Sequence, residues 1–186
     1  MEDIVLRVIF SFIAALIIFV STLPASSNNP VGEAMKAKSW AQKQGIRSTD
    51  IVMVVDFAKH SYEKRLYIVD TKTGQIIYST WATHGVGSGA GPYATQFSNI
   101  PNSKMSSLGY FITQETYIGK NGKSLRIHGL QSTNNKACER AIVIHGAGYI
   151  GDGKTGTSWG CFAVPYADIQ QVIGLLKSGS LIVAVT

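Results

Sequence analysis

From residue 51 onward, the chain is built of short runs rich in Val, Ile and Tyr that are separated by turn residues. Apolar runs of about four to eight residues between such turns are typical of β-strands and are too short for most helices. They predict strands at residues 51–57, 66–69, 76–82, 110–117, 125–128, 141–145 and 181–185. Turn sequences at residues 71–74 and 121–122 indicate antiparallel neighbours. The expected fold is therefore mainly β, a sandwich or a barrel.

Two helices are expected beside these strands. The first lies in residues 28–45, where Asn29 is a capping residue and the proline after it suits the first helical position. The second lies in residues 165–177, and its apolar stripe consists of Ile169, Val172, Ile173 and Leu176. The expected architecture has a short N-terminal helix and one helix before the last strand. Residues 28–50 would then form a helical segment and residues 51–186 one domain.

Residues 1–27 predict export. Residues 8–20 form an apolar run whose only polar residue is a serine. This run is shorter than the about 20 apolar residues of a membrane-spanning helix and fits the roughly 7–15 residues of a signal-peptide core. Small residues follow, which suit cleavage near Ala25 or Ser27. We expect a signal peptide, with an uncleaved N-terminal anchor as the alternative because acidic residues outnumber Arg7 in the flank. Either segment places the protein in the periplasm or cell envelope.

The composition excludes several classes of protein. Apolar residues make up 45% of the chain and charged residues 15%, which argues against disorder and against a coiled coil. The formal net charge of +6 favours acidic partners. No basic stripe is interleaved with aromatic residues, and the glycine-rich residues 85–91 lack a phosphate-loop pattern, so we expect no nucleic-acid binding. His60 and His84 are expected to be ordinary loop residues.

The segment from His145 to Cys161 carries the residues suited to catalysis. His145 ends an apolar strand and is followed by Gly146, and the turn Ser158-Trp159-Gly160-Cys161 comes next. A thiolate is a strong nucleophile, and a nearby imidazole lowers the pKa of a thiol from its ordinary value of about 8.5. Gly160 removes a side chain where a substrate carbonyl must approach, and the N–H groups of residues 159–161 would face the developing oxyanion. This pattern indicates a Cys–His nucleophile.

These motifs resemble the L,D-transpeptidase catalytic domain (YkuD-like) family, whose pattern is a His-Gly strand end followed by a Ser-x-Gly-Cys turn. The similarity points to the branch called the murein L,D-transpeptidase catalytic domain family. It covers the chain from about residue 51 to the C-terminus. The motifs that carry it are Phe97-Ser98-Asn99, Ser106-Ser107-Leu108-Gly109-Tyr110-Phe111, Tyr117-Ile118-Gly119-Lys120-Asn121-Gly122, Ser124-Leu125-Arg126, Gly129-Leu130 and Arg140-Ala141-Ile142-Val143-Ile144-His145-Gly146-Ala147.

The resemblance implies that the domain is the catalytic domain of an exported cysteine L,D-transpeptidase acting on peptidoglycan stem peptides. Cys161 would attack the stem-tetrapeptide carbonyl before the terminal D-Ala and form a thioester, and His145 would take the thiol proton. Ser158 and Gly160 would shape the turn. Transfer of the acyl group to an amine would crosslink or modify the wall, whereas transfer to water would make the protein an L,D-carboxypeptidase. No cofactor is needed, a monomer is expected, and only an uncleaved N-terminal segment would contact the membrane.

Trp159 and Ala163 depart from the family pattern, because many members carry polar residues at these positions. This departure leaves a non-catalytic peptidoglycan-binding module as an alternative. His128, in a second Ile-His-Gly sequence, is a candidate replacement for the missing polar group beside His145. Trp159 and Tyr149 are candidate walls or a lid, and two arginines are candidate partners of a substrate carboxylate. The candidate substrate-binding residues are Trp159, Gly146, His128, Tyr149, Arg126 and Arg140.

The two cysteines allow other interpretations. In an exported protein, Cys138 and Cys161 are candidates for a structural disulfide. Together with His128 and His145 they are also a candidate four-ligand zinc set, although the usual short spacing between paired ligands is absent. The motif around Cys161 favours a free nucleophilic thiol over both alternatives, and we expect no metal.

Overall fold

The structure is a computed structural model that describes residues 28–186, so the expected signal peptide lies outside the described residues. Its helices are α1 at Pro30–Lys43 and α2 at Ile169–Leu175. Its strands are β1 Ile51–Asp56, β2 Leu66–Asp70, β3 Gln75–Thr80, β4 Gly109–Gly119, β5 Gly122–Gly129, β6 Val143–Ala147, β7 Ile150–Gly151, β8 Lys154–Thr155, β9 Phe162–Pro165 and β10 Leu181–Val185. The mainly β prediction, with one N-terminal helix and one helix before the last strand, is confirmed. No helix within residues 28–186 is long and apolar enough to cross a membrane.

One mixed sheet organises the fold, with strand order β3-β2-β1-β10-β4-β5-β6-β9, and β7 and β8 form a separate ribbon. The β1–β10 and β6–β9 pairs are parallel, and the other neighbours in the sheet are antiparallel. The sheet is open but strongly curled. The chain just after β3 reaches β9, where the Thr83 N–H donates to the Ala163 carbonyl at 2.9 Å. This curl brings the two ends of the sheet together at the candidate site.

Helix α1 covers one face of the sheet. Asn29 caps it as predicted, because its side-chain oxygen accepts the Val31 N–H at 3.1 Å. Small side chains of the helix pack against alternate strand residues in a buried cluster of Ala34, Ala37, Ala41, Val52, Val54, Val69, Leu181 and Val183. Since successive strand side chains point to opposite faces, the same strands send the residues in between to the other side.

The main core lies on the face opposite α1, where α2 packs. The predicted apolar stripe of this helix is buried there, at Ile169, Val172, Ile173 and Leu176. Phe162 of β9 lies between two other aromatic rings, with centroid distances of 5.6 Å to Phe111 and 6.2 Å to Phe57. This aromatic packing fixes β9, the strand that directly follows Cys161.

The boundaries of two predicted elements are wrong near the candidate site. Pro165 is the last residue of β9 rather than the first of a helix, so α2 begins only at Ile169. The sequence pattern did not predict β9 because its apolar run is too short to distinguish a strand from a loop. The strand expected from residue 141 begins at Val143, because Ala141 has a φ of 53°, which is left-handed backbone.

Candidate active site

His145 and Cys161 lie on the neighbouring strands β6 and β9 or directly beside them. The parallel register pairs His145 with Ala163, and Cys161 comes two residues before Ala163. Cys161 directly precedes β9 and packs partly against the main core, in which Phe162 is buried. The Val143 N–H, two residues before His145 on β6, hydrogen-bonds the Cys161 thiol, so Cys161 lies beside the strand that carries His145. No hydrogen bond joins the side chains of Cys161 and His145 in the described part of the chain.

His145 is oriented as a base. Its side chain is buried, with 4% of the residue exposed, and its Nδ1 lies 2.9 Å from the Gly146 carbonyl oxygen. A carbonyl only accepts, so Nδ1–H donates and Nε2 keeps a free lone pair. Burial lowers the pKa of His145, the Gly146 carbonyl opposes this shift, and the Lys120 ammonium lowers the pKa further. His145 is therefore neutral at neutral pH and can take a proton at Nε2.

Cys161 is a free, half-buried cysteine. Its Sγ lies 3.6 Å from the Ala141 carbonyl oxygen. Burial raises the pKa of the Cys161 thiol, whereas the Val143 N–H, the Arg140 guanidinium and the Lys120 ammonium lower it. The balance leaves the pKa above its ordinary value, so Cys161 is a protonated thiol at neutral pH and needs a base to become a nucleophile.

Ser158 and Gly160 fix the turn that carries Cys161. The Ser158 hydroxyl donates to the Cys161 carbonyl at 2.8 Å and accepts the Gly160 N–H at 3.1 Å. Gly160 has a φ of +114°, and a Cβ there would lie 2.6 Å from the Met105 carbonyl oxygen, so only glycine fits. Since the Gly160 N–H is used inside the turn, the expectation that it faces an oxyanion is wrong.

Thr83 and His84 support this turn from the neighbouring segment, and sequence reasoning missed both roles. The Thr83 hydroxyl donates to the Cys161 carbonyl at 3.2 Å and accepts the Ala163 N–H at 3.2 Å. The His84 carbonyl accepts the Ser158 N–H at 2.9 Å. Residue 83 reaches residues 161 and 163 only through the curl of the sheet, and no local sequence pattern reports that contact.

The expectation that His84 is an ordinary loop residue is wrong. Its side chain is fully buried, and its Nδ1 lies 2.9 Å from Nη2 of Arg65, which is also fully buried. Arginine only donates, so Nδ1 accepts and Nε2–H donates to the Gly89 carbonyl at 2.9 Å. Burial and the Arg65 charge lower the pKa of His84, and burial lowers the pKa of Arg65 to about 10. A neutral His84 therefore anchors the glycine-rich loop behind the Cys161 turn.

Aromatic side chains form an exposed rim around the site. Trp159 is 70% exposed, and the Lys104 ammonium lies 4.6 Å from the centre of its ring. Burial and the Cys161 charge raise the pKa of Tyr149, which places Tyr149 near Cys161. Gly146 has a role in this rim, since a Cβ there would lie 2.7 Å from the exposed Tyr166 ring. Tyr166 lacked any sequence signal because only the fold brings it over β6.

Two predicted site residues are engaged elsewhere. His128 Nδ1 lies 3.4 Å from Cys138 Sγ, and in the β5–β6 register the partner of His145 is Ser124, so His128 does not orient His145. The suggested replacement role of His128 is therefore wrong. Arg126 Nε lies 2.9 Å from a Glu115 carboxylate oxygen, so one N–H of its guanidinium is paired within the protein.

The alternative interpretations of the cysteines are not seen in the described residues. Cys138 and Cys161 are both free, and Cys138 is exposed. No group of three or more His, Cys, Asp or Glu residues within residues 28–186 is placed to hold a metal ion. The Arg140 guanidinium donates to the Ser98 carbonyl at 2.8 Å and to the Met105 carbonyl, rather than pointing freely toward solvent.

A family model described as L,D-transpeptidase catalytic domain matches residues 24–185. Among solved structures, an L,D-transpeptidase from Mycobacterium smegmatis is 11% identical with a TM-score of 0.45, and the match covers 73% of this chain and 58% of that one. An L,D-transpeptidase from Xylanimonas cellulosilytica is 16% identical with a TM-score of 0.43, and the match covers 78% of this chain and 68% of that one. An L,D-transpeptidase from Stackebrandtia nassauensis is 11% identical with a TM-score of 0.45, and the match covers 82% of this chain and 64% of that one. The chain thus spans less than two thirds of the Mycobacterium smegmatis protein. No curated protein matches the chain.

Proposed function

The chain belongs to the L,D-transpeptidase catalytic domain family, and from this premise we propose that it is an exported cysteine L,D-transpeptidase that modifies peptidoglycan. One observation carries the proposal. Cys161 sits on a turn fixed by hydrogen bonds, beside the strand that carries a buried His145 whose Nε2 keeps a free lone pair. A thiol and a neutral imidazole in this arrangement are the parts that acyl transfer through a thioester requires.

In the first half-reaction, His145 Nε2 takes the proton of the Cys161 thiol, and the thiolate Sγ then attacks the carbonyl before the terminal D-Ala of a stem tetrapeptide. The tetrahedral intermediate collapses as the C–N bond breaks. His145 returns the proton to the leaving nitrogen, D-alanine departs and a Cys161 thioester remains. The tight turn supports this step, because two hydroxyl donors hold the Cys161 carbonyl and so fix the backbone of the nucleophile.

In the second half-reaction, an acceptor amine attacks the thioester. Neutral His145 takes the amine proton, the C–S bond breaks and the thiol is restored by that proton. The product is a new amide, either a crosslink between two stem peptides or a link to another amine. Water as the acceptor gives a tripeptide instead, which is the L,D-carboxypeptidase alternative.

The substrate surface is the exposed rim of Trp159, Tyr149 and Tyr166 beside the site. Broad aromatic faces contact peptide and sugar with little loss of side-chain entropy. The Lys104 ammonium over Trp159 and the exposed Lys120 near His145 add positive charge, which favours the carboxylates of stem peptides. We propose that the protein acts as a monomer. We also propose that it needs no cofactor, because thiol and imidazole chemistry suffices for the reaction.

Export to the periplasm or cell envelope is proposed from the N-terminal sequence. The apolar run of residues 8–20 and the small residues after it suit a signal peptide or an anchor. The proposed substrate is found outside the cytoplasmic membrane, and either a signal peptide or an anchor would deliver the catalytic domain there.

A non-catalytic peptidoglycan-binding module is the second candidate. The observation that favours it is the missing hydrogen bond between Cys161 and His145, together with a Cys161 pKa raised by burial. An apo site often tightens only when substrate binds, so this geometry does not remove the first candidate.

Product analysis by mass spectrometry separates these candidates. The purified, reduced protein is incubated with disaccharide-tetrapeptide, alongside Cys161→Ala and, as a matched control, Cys138→Ala. A crosslinked dimer lacking one D-Ala, made by wild type and Cys138→Ala but not by Cys161→Ala, supports the transpeptidase. Tripeptide alone supports the carboxypeptidase. No product from a folded wild-type protein, with retained binding to sacculi, supports the binding module.

A further inference from the structure

Arg140 is a half-buried cation that forms no ion pair with any of residues 28–186. Its Nη1 donates to the Ser98 carbonyl at 2.8 Å, and its Nη2 donates to the Met105 carbonyl and contacts Ser103 Oγ at 3.5 Å. None of the ion pairs within residues 28–186 includes Arg140. Carbonyl and hydroxyl oxygens satisfy its N–H groups but leave its full charge uncompensated, which is costly away from water.

The guanidinium lies against the nucleophile turn. A Cβ on Gly160, the residue before Cys161, would lie 3.2 Å from Arg140 Nη2. Ala141, the residue after Arg140, places its carbonyl oxygen 3.6 Å from Cys161 Sγ. Arg140 is therefore close to Cys161 through its side chain, which lies beside Gly160, and through its main chain, which leads into Ala141. An ionised Cys161 sulfur would supply the negative charge that Arg140 lacks.

We propose that Arg140 is the counter-charge of the Cys161 thiolate, a positioning role that builds on the proposed function of Cys161 as the nucleophile. This role differs from the expected binding of a substrate carboxylate, because the guanidinium donates to carbonyl groups of the protein next to the turn. The same hydrogen bonds hold the segment of residues 98–105, whose Met105 carbonyl packs closely against Gly160, so Arg140 also supports the turn from behind.

The other charged and titratable groups near Cys161 come from three further elements. His145 lies on β6, Tyr149 follows β6, and Lys120 lies in the turn between β4 and β5. Lys120 is exposed, so water screens its charge. His145 is neutral at neutral pH, and a neutral tyrosine provides no positive charge. Arg140 is then the partly buried cation next to the turn that carries Cys161, and its charge lowers the pKa of the Cys161 thiol.

The charge balance of the first half-reaction agrees with this role. When the S–H bond breaks and His145 Nε2 takes the proton, a thiolate and an imidazolium form. The negative charge remains beside Arg140 until the C–S bond forms, and then moves to the carbonyl oxygen. The finished thioester is neutral, so Arg140 favours the nucleophile and not the product.

The test is the pH dependence of Cys161 alkylation, which needs no peptide substrate. In a Cys138→Ala background, the rate of iodoacetamide labelling is measured between about pH 6 and pH 10 for Arg140→Gln and Arg140→Lys. Arg47→Gln, which removes an exposed arginine, is the matched control. We expect Arg140→Gln to raise the apparent thiol pKa and slow labelling at about pH 7.5 by about tenfold. Arg140→Lys, which keeps the charge, stays within about threefold of the parent protein, and Arg47→Gln matches it.

Two outcomes overturn the proposal. One is a pH–rate profile of Arg140→Gln that coincides with that of the parent protein. The other is Arg140→Lys slowed as much as Arg140→Gln, which would mean that the fork of the guanidinium matters and its charge does not. Circular dichroism and thermal melts are recorded for each variant, so that lost structure is distinguished from lost charge.

A second measurement uses the wild-type protein and is independent of how the variants fold. The rate ratio of anionic iodoacetate to neutral iodoacetamide is compared at Cys161 and Cys138 at low salt. A ratio larger at Cys161 supports an unpaired cation beside it, and equal ratios contradict it. A protein that shows the Arg140 effect but makes no product from tetrapeptide retains this role and loses the proposed function. Product formation without the effect overturns the Arg140 proposal alone.

Discussion

The sheet carries two cysteine–histidine pairs with opposite properties. Cys138 and His128 are both exposed, and their Sγ and Nδ1 atoms are 3.4 Å apart. Cys161 is half-buried and His145 is buried. No hydrogen bond joins these two side chains in the described residues. If contact alone defined a nucleophile, the first pair would be the better candidate.

The difference lies in what surrounds each sulfur atom. Besides His128, Cys138 Sγ has a contact with the Ile127 carbonyl at 3.4 Å. The Cys161 backbone carbonyl accepts hydrogen bonds from two hydroxyl groups. The residue before Cys161 is Gly160, where no side chain fits. We therefore propose that a fixed backbone, a buried base and a nearby cation, rather than a short sulfur–nitrogen distance, distinguish the nucleophile from Cys138.

Removing the two histidines separates the pairs most strongly. We expect His145→Ala to lower the rate of D-Ala release by about 10²–10⁴-fold, because the thiol loses its base. We expect His128→Ala to lower it by less than about fivefold, since His128 reaches only Cys138. Steady-state release of D-Ala from disaccharide-tetrapeptide measures both effects. Equal losses in the two variants would mean that the comparison between the pairs is wrong.

Substituting glycine in the turn tests the fixed backbone. Gly160→Ala adds a Cβ at a positive φ and 2.6 Å from the Met105 carbonyl, so we expect it to destabilise the fold by about 2–4 kcal/mol and to slow turnover by at least about tenfold. Gly122→Ala is the matched control, because Gly122 has a φ of +76° but nothing within 4 Å of the added Cβ. It should cost only about 1–2 kcal/mol and leave turnover within about twofold. Urea unfolding and steady-state rates give both quantities, and similar results at the two positions would contradict the account.

The pH dependence of stability tests His84 behind the Cys161 turn. Its pKa in the folded protein is lowered by burial and by Arg65, so the unfolded chain binds a proton first as the pH falls. The free energy of unfolding that a neutral His84 contributes is present above about pH 6.5. It is lost below that pH, at up to about 1.4 kcal/mol per pH unit. We expect His84→Gln to have a shallower slope than wild type between about pH 6.5 and pH 4.5. Urea unfolding at several pH values measures the slope, and parallel slopes would exclude a neutral, buried His84.

The aromatic rim gives the smallest expected effect. We expect Trp159→Ala to raise KM for disaccharide-tetrapeptide by about three- to tenfold and to change kcat by less than about twofold, because an exposed ring contributes to binding and not to bond making. Steady-state kinetics separate the two constants. A fall in kcat at unchanged KM would place Trp159 in the chemical step.

Local signals predicted the proposed catalytic residues but not the residues that support them. His145 and Cys161 follow from a strand end, a glycine and a short turn in the sequence, together with the family resemblance. Short apolar runs between turn residues located the strands of the main sheet except β9. Sequence reasoning missed Thr83 and His84, because their contacts with the Cys161 turn join residues more than 70 positions apart.

Arg65 and β9 show two other limits of the sequence. An arginine before a strand is ordinarily an exposed residue, and only the curl of the sheet buries Arg65 against His84. The three apolar residues after Cys161 have no periodicity of their own, so pairing with β6 decides that they form a strand. In both cases tertiary contacts determine what local pattern leaves open.

The most direct test of the central claim locates the acyl group. The reduced wild-type protein is mixed with disaccharide-tetrapeptide, quenched in acid to preserve thioesters, digested and mapped by mass spectrometry, with Cys138→Ala and Cys161→Ala in parallel. The account predicts an acyl group lacking the terminal D-Ala on Cys161 in wild type and Cys138→Ala, and no acyl-enzyme in Cys161→Ala. An acyl group on Cys138, or D-Ala release that persists in Cys161→Ala, would contradict it.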